Sequence, residues 1–348
     1  MWALTLRDLM FRRRQFTIAV MGSALVFALA LALTGMSAGF RSEAQQTSQS
    51  VGATTWIVPS GVAGPFTSLS ILDERLAGQV AATPGVAEAQ PLVVFPTTAQ
   101  VNGSPTGITL VGFVPGHLGR PQGVSGHTVA APGQAVADAR VGIGSGQVLS
   151  IAGHRFGVVG TVTGKTILAG VPVVYVGLAD AQAVAFGGQR LASTVITSGT
   201  PAAVPAGFRA LTTDDVRNDL LRPMKNPTKT IDNTRLLMWV VAGVIIGIVT
   251  YLAAMDRIRD FAVLKAVGAS SRVLAGSLCI EAVLASLLAA GLAALLANLL
   301  RPAFSLPLTI TGVAYATLPA IAAVVGVLAS LFALRRAVRV DPALAFGG

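Results

Sequence analysis

The part of this sequence that comes nearest to a catalytic motif is the segment Gly160-Thr-Val-Thr-Gly164-Lys165-Thr166. A phosphate-binding loop holds phosphate oxygens with successive backbone amides, and its sequence requires four residues between the two glycines. Here only three residues separate the glycines, and Val159 occupies the position of the first one. We therefore expect a strand, a turn and a second strand here, and no bound nucleotide.

Residues that bind metals or act as nucleophiles are few and scattered. His117, His127 and His154 lack ligand spacing and are expected at the surface or in turns, while the single cysteine, Cys279, lies in an apolar run and is expected to pack there. The sequence also has neither a Gly-x-Ser-x-Gly elbow nor a His-Glu-x-x-His helix. It predicts no catalytic, metal-binding or cofactor-binding residue, and a chain that is not itself an enzyme.

Charged and apolar residues follow a helical pattern in Arg257-Ile-Arg-Asp-Phe-Ala-Val-Leu-Lys-Ala-Val-Gly268-Ala-Ser-Ser-Arg272. Ile258, Phe261 and Ala262 would share one face of this helix. Gly268 suits the left-handed residue that ends a helix, and one of the two serines can cap the next helix. From the pattern alone, the segment is either a separate functional helix or a well-anchored turn at the membrane surface.

Glu281 is the one charged residue in an apolar run of 28 residues, Val273 to Leu300. It lies about nine residues, or roughly 13 Å, into this run, where an unpaired carboxylate in lipid is costly. Its side chain should therefore face protein. We expect either an ion pair with Arg272 or Lys265, or a protonated or hydrogen-bonded structural glutamate.

The elements that hold these residues are long apolar segments. The 348 residues are 53% apolar and 11% charged, with a mean hydropathy of +0.70, which excludes an ordinary soluble protein. A membrane helix needs about 20 apolar residues to cross about 30 Å of hydrocarbon. Four spans are predicted, with Pro319 a kink in the last: residues 16–40, 236–255, 273–300 and 312–334.

Basic residues determine the predicted orientation. Residues 1–15, 256–272 and 335–348 hold 11 of the 25 lysines and arginines in 46 positions, whereas the other loops hold 14 in 206. Because basic residues concentrate in cytoplasmic loops, both termini and residues 256–272 should be cytoplasmic, and residues 41–235 and 301–311 external. The net charge of +10 is thus assigned to topology and not to nucleic-acid binding.

The N-terminus allows alternatives. Residues 1–15 are expected to form an amphipathic helix on the inner membrane surface, with a disordered start as the alternative. Arg12 to Arg14 and the small residues Ala28-Leu29-Ala30 also resemble a cleaved signal sequence. The 25 uncharged residues of the first span favour a retained anchor.

Residues 41–235 have the length and composition of one α+β domain, with two subdomains as the alternative. β-like runs begin at Thr55, Pro91, Gly107, Ile151 and Val171. A helix is predicted from Ser70 to Ala82. The flanking segments, Ser42–Ser50 and 228–235, could extend the first two spans as a helical stalk. The predicted fold is a membrane protein with one span, a large extracytoplasmic α+β domain and three further spans.

The segment from Arg257 through Glu281 resembles the signature loop of the MacB/FtsX/LolC superfamily of ABC transporter permeases. In that loop a basic residue, an acidic residue, a Phe-Ala-Val-Leu-Lys-like core and Gly-Ala-Ser follow the second span. The order of spans and the ending at Arg335–Pro342 also resemble this family. Residues 83–91 and 136–160 resemble segments of MacB-like external domains more loosely.

The resemblance implies that residues 256–272 form a coupling helix docked on a cytoplasmic ATPase. Phe261 would be its apolar anchor, Arg257, Asp260 and Lys265 its polar rim, and Gly268 its end. The ATPase, with its ATP and Mg²⁺, would be a separate chain, because no Walker A sequence is present. Two ATPase chains and a second, identical permease chain are expected in the cell membrane, with an extracytoplasmic accessory protein as a further candidate partner.

Three functions are compatible with these expectations. The leading one is a permease subunit that couples ATP hydrolysis to movement of its external domain, called mechanotransmission, for export or extraction of an amphiphile. The alternative is an FtsX-like activator of an extracellular cell-wall hydrolase that transports nothing. The third is a receptor or scaffold without an ATPase.

Overall fold

The computed structural model describes residues 13–256, 263, 267–268, 270–300 and 309–338. The chain divides into two compact units. Residues Phe40–Pro227 form one unit, here called the sheet domain, and the described residues on either side of it form the other, here called the helix unit. Most residues of the predicted helix 1–15, the loop 301–311, the tail 335–348 and the coupling helix lie outside the described residues, so these elements stay predictions.

The described chain begins with a long helix, α1 (Arg13–Ser50). It contains an apolar stretch long enough to cross a membrane. The helix does not stop at the predicted end of the span, residue 40, but continues through Ser42–Ser50, the segment for which a stalk was predicted. Residues of α1 therefore belong to both units.

The sheet domain contains thirteen strands and three short helices among its described residues. Its elements are β1 (Thr55–Pro59), β2 (Leu72–Asp73), α2 (Leu76–Ala81), β3 (Val86–Val101), β4 (Ser104–Phe113), β5 (Ser125–Gly126), β6 (Gln134–Asp138), β7 (Val148–Ile151), β8 (His154–Val162), β9 (Thr166–Ile167), β10 (Val171–Gly177), α3 (Leu178–Phe186), β11 (Leu191–Ala192), β12 (Thr194–Gly199), β13 (Phe208–Thr212) and α4 (Thr213–Leu221).

Eleven of these strands form one mixed sheet. Its main path is β13-β1-β12-β3-β4-β10-β6-β8-β5, while β7 pairs with β3 and β8, and β9 pairs with β10. The pairs β10–β4 and β6–β8 are parallel, and the other described pairs in this sheet are antiparallel. This arrangement is the predicted α+β domain.

Both faces of the central strands are buried. In β10, Val173 and Tyr175 join one apolar cluster, whereas Val174 and Val176 join a second on the other face, because successive side chains of a strand point to opposite sides. The first cluster includes Trp56, and the second includes Phe156. Burial on both faces explains why the sequences of these strands are continuously apolar instead of alternating between apolar and polar residues.

The predicted helix Ser70–Ala82 is wrong in its first half. Leu72–Asp73 form strand β2, which pairs with Leu191–Ala192, and the helix covers only Leu76–Ala81. The Asp73 carboxylate accepts a hydrogen bond of 2.8 Å from the Arg75 amide and so stabilises a turn before the helix. A pairing partner more than 100 residues away thus overrides the local apolar spacing.

Three long helices follow the sheet domain: α5 (Lys225–Asp256), α6 (Ser271–Leu300) and α7 (Gly312–Val338). Together with α1 they give four described helices long and apolar enough to cross a membrane, as predicted. Pro319 lies inside α7. The predicted arrangement of one span, an α+β domain and three spans is therefore confirmed.

Small residues form the centre of the helix unit. A buried cluster combines Ala24 and Phe27 of α1 with Ile246 of α5 and with alanines of α6 and α7. Small residues let membrane helices approach closely enough for van der Waals contact between backbones. One close approach is at Gly326 of α7, where an added Cβ would lie 2.9 Å from the Ala282 carbonyl oxygen of α6.

Candidate coupling site

The predicted coupling helix is described at only a few residues. The Val267 amide donates a hydrogen bond of 3.0 Å to the Val263 carbonyl, the spacing of one α-helical turn. Gly268 follows with φ +101°, a conformation that residues with a side chain rarely adopt. Val263, Val267 and Gly268 are exposed. Arg257, Asp260, Phe261 and Lys265 lie outside the described residues, so their docking role stays a prediction.

Glu281 lies in α6 with only 9% of its surface exposed. Its neighbours Ala282 and Ala285 are also buried. Glu281 makes at least one polar or electrostatic interaction. Two interpretations stay predictions: an ion pair with Lys265 or Arg272, whose side chains lie outside the described part, and a protonated or hydrogen-bonded structural glutamate.

A loop of the sheet domain binds the end of α1 through Glu43, a residue that was not predicted from the sequence to be functional. This buried carboxylate accepts hydrogen bonds from the amides of Ala169 and Gly170, both at 2.9 Å, and from the Thr166 hydroxyl. The Thr47 hydroxyl, one helical turn further along α1, donates to the Thr166 carbonyl at 3.1 Å. We call α1 residues Glu43 and Thr47, with the loop 166–170, the α1 clamp.

The loop of this clamp has a strained backbone. Leu168 and Ala169 have φ of +52° and +69°, and Gly170 has φ +95°. Left-handed conformations of residues with a Cβ cost about 1–3 kcal/mol each and persist only where the surroundings enforce them. Here the strained conformation allows two successive amides to donate to one carboxylate.

A second buried carboxylate attaches the helix that precedes α5 to a loop of the sheet domain. Asp219 of α4 is 2% exposed, and its carboxylate accepts hydrogen bonds from the Phe66 amide at 3.1 Å and from the Thr67 hydroxyl. Gly64 leaves the space that this carboxylate fills. We call Asp219 with the loop 64–67 the α4 clamp. α4 ends at Leu221 and α5 begins at Lys225, so only three residues separate this clamp's helix from a membrane-length helix.

The two clamped helices also contact each other. Arg217 of α4 donates a hydrogen bond of 3.1 Å to the Gln45 side chain of α1 and pairs with Asp214 at 2.9 Å. The sequence held one indication of this contact, because the predicted helical stalk Ser42–Ser50 contains the polar residues Glu43 and Gln45. The strands and loops that supply their partners were not predictable from that signal.

The segment 160–166 and the three histidines lie in the environments expected for them. The segment 160–166 is strand, turn and strand, and the Lys165 amide donates at 2.7 Å to Asp138, an acidic group that disfavours phosphate. His117, His127 and His154 are exposed. Among the described residues, no group of three or more His, Cys, Asp and Glu side chains is arranged to hold a metal ion.

Comparisons with known proteins converge on one class. Residues 235–342 match the family described as FtsX-like permease C-terminal. A protein of Mycobacterium bovis described as an uncharacterised ABC transporter permease is 37% identical over 343 residues, which is 99% of this chain and 98% of that one. A second such permease, from Mycobacterium tuberculosis, is 37% identical over 344 residues with the same coverage.

Two solved structures are similar to parts of the chain. The periplasmic region of MacB from Actinobacillus actinomycetemcomitans has a TM-score of 0.35 and 11% identity, and the alignment covers 48% of this chain and 92% of that one. The extracellular domain of the noncanonical ABC-type transporter YknZ from Gram-positive bacteria has a TM-score of 0.34 and 14% identity, covering 46% and 99%.

Proposed function

The chain belongs to the FtsX-like permeases of ABC transporters, and from that premise we propose that it transmits the ATP-driven movement of a cytoplasmic ATPase across the membrane to its sheet domain. The observation that carries this proposal is the agreement with permeases over 99% of the chain. The matched permease region begins at Arg235 and so includes the whole loop 256–272.

An ABC transporter permease works with an ATPase partner, and we place that ATPase on a separate chain. The mycobacterial permeases match this chain over 98% of their own length, which leaves no room in them for an ATPase domain. In the proposal, two ATPase chains bind two copies of this chain. Their closure on ATP moves the segment Arg257–Gly268, and α1 and α5 carry the movement outward.

We further propose that the work is export or extraction of an amphiphile. A cavity of about 300 Å³ lies within the helix unit, and its lining combines the apolar residues Leu31, Leu318 and Ile321 with Trp239 and Arg235. Apolar walls suit an acyl or other hydrocarbon group. The Arg235 guanidinium pairs with Asp232 at 3.2 Å, and in this proposal it exchanges that carboxylate for an anionic head group. This combination supports an amphiphilic substrate over a small polar solute.

The test is copurification of the ATPase with a variant of the coupling helix. We expect Phe261→Asp to abolish copurification, since a charge would replace the apolar anchor of the interface, while the chain still inserts into the membrane. Leu69→Asp is the matched control because it puts the same charge at an apolar side chain of the sheet domain that is 81% exposed. Unchanged copurification of Phe261→Asp would reject the docking role.

A further inference from the structure

The two flanking helices of the sheet domain are each held by a buried carboxylate. Glu43 lies on the part of α1 that belongs to the sheet domain, and Asp219 lies on α4, immediately before α5. Both carboxylates accept from a backbone amide and from a threonine hydroxyl of a loop distant in sequence. The same chemistry thus recurs at the entry to the domain and at its exit.

These hydrogen bonds add resistance to displacement of the helices along their axes. A charge-assisted hydrogen bond is directional and weakens steeply when its geometry changes. A buried carboxylate that loses its donors is also left without solvation, which opposes separation further. The strained conformation of Leu168 and Ala169 indicates that the structure preserves this geometry at an energetic cost.

We infer that Glu43 and Asp219 are the positioning residues through which the movement of α1 and α5 is transmitted to the sheet, the α1 clamp and the α4 clamp acting as two rigid attachment points. This inference rests on the proposed function, because it assumes that the partner ATPase drives the movement. The Gln45–Arg217 hydrogen bond of 3.1 Å also joins α1 to α4 directly, so that the two attachment points contact each other.

The experiment uses the full chain with its ATPase in lipid nanodiscs and measures hydrogen–deuterium exchange with and without trapped ATP. The variants are Glu43→Gln and Asp219→Asn, which keep the side-chain shape but replace one acceptor oxygen with a donor NH₂. Asp180→Asn is the matched control. Asp180 of α3 is half-buried and accepts at 2.9 Å from the Gly133 amide, and both residues belong to the sheet domain outside the two clamps.

Without ATP, Glu43→Gln should raise the exchange rate of the Ala169 and Gly170 amides by roughly tenfold, as expected from the loss of a charge-assisted hydrogen bond. With trapped ATP, the wild-type sheet domain should show a nucleotide-dependent change in exchange. Both clamp variants should lose more than about half of this change while ATP hydrolysis stays within about twofold of wild type. The Asp180→Asn control should retain the change.

Two results would overturn the inference in distinguishable ways. If the ATPase binds and the wild-type sheet domain responds to ATP, but Glu43→Gln and Asp219→Asn respond equally well, the clamps do not transmit movement and the proposed function stands. If no ATPase binds wild type, the proposed function fails and the inference with it. Thr166→Val is the second variant in case Glu43→Gln does not fold, because it removes one hydrogen-bond donor and keeps the charge of Glu43. It should lose a smaller part of the nucleotide-dependent change in exchange.

Discussion

Individual acidic residues show how far a single residue can be interpreted from sequence. Glu281 is conspicuous because it interrupts an apolar run, where a carboxylate needs a partner. Glu43 and Asp219 stand in polar stretches, where an acidic residue is unremarkable. Their importance comes from the amides and hydroxyls that folding brings to them from residues 166–170 and 64–67. The local sequence indicates neither that these two carboxylates are buried nor which groups donate hydrogen bonds to them.

A glycine in the helix unit gives a prediction at the same scale. At Gly326 an added Cβ would lie 2.6 Å from the Ser286 hydroxyl and 2.9 Å from the Val283 Cα, so α6 and α7 would have to separate. Gly326→Ala should therefore destabilise the protein by about 1–3 kcal/mol, the usual cost of overpacking. Thermal unfolding in detergent measures this change.

Gly291 of α6 is the matched control for Gly326. It also lies in a membrane-length helix, but a Cβ there would meet no described atom within 4 Å. Gly291→Ala should leave the unfolding temperature unchanged or raise it slightly, because alanine is the better helix former. Equal effects of the two substitutions would show that α6 and α7 do not pack as described.

At the scale of elements, length and composition made the four long helices predictable. An apolar run of 20 or more residues is typical of a membrane-spanning helix, and α1, α5, α6 and α7 contain the predicted runs. Strands were recognisable where β-branched residues cluster, as in Val171–Gly177. The short helices α3 and α4 were not predicted, and the helix predicted over β2 was wrong, because tertiary contacts rather than local spacing determine such short elements.

The start of α4 gives a prediction at this scale. The Thr212 hydroxyl accepts at 3.2 Å from the Asp215 amide, while the Asp215 carboxylate accepts at 2.9 Å from the Thr212 amide, which together form a capping box. Thr212→Ala should destabilise α4 by about 1 kcal/mol. Hydrogen exchange of the α4 amides should accelerate in this variant and not in Asn218→Ala, a substitution on the exposed side of the same helix.

The same cap should respond to pH. Hydrogen bonds from the Thr212 amide and hydroxyl lower the pKa of Asp215 below its ordinary value of 3.8. Because the folded state then binds this proton less readily than the unfolded state, the stabilisation is complete above pH 3.8 and is lost as the pH falls through the lowered pKa. Protection of the α4 amides should fall in that range in wild type, and the fall should be smaller in Thr212→Ala.

At the scale of the whole molecule, two helices connect the units. α1 runs from the helix unit into the sheet domain, and α5 begins in the sheet domain and runs back. The chain therefore passes between the helix unit and the sheet domain within α1 and within α5, and Glu43 and Asp219 lie close in sequence to these two crossings.

The most direct test of this account asks from which side of the membrane each part is reached, and whether the ATPase covers the loop. Single cysteines replace the exposed Ser125 and Ser270 in a Cys279→Ala background. A label that cannot cross the membrane should react with Ser125→Cys in intact cells. Ser270→Cys should react only in inverted membranes, and more slowly once the ATPase is bound. Labelling of Ser270→Cys in intact cells, or no shielding by the ATPase, would contradict the account.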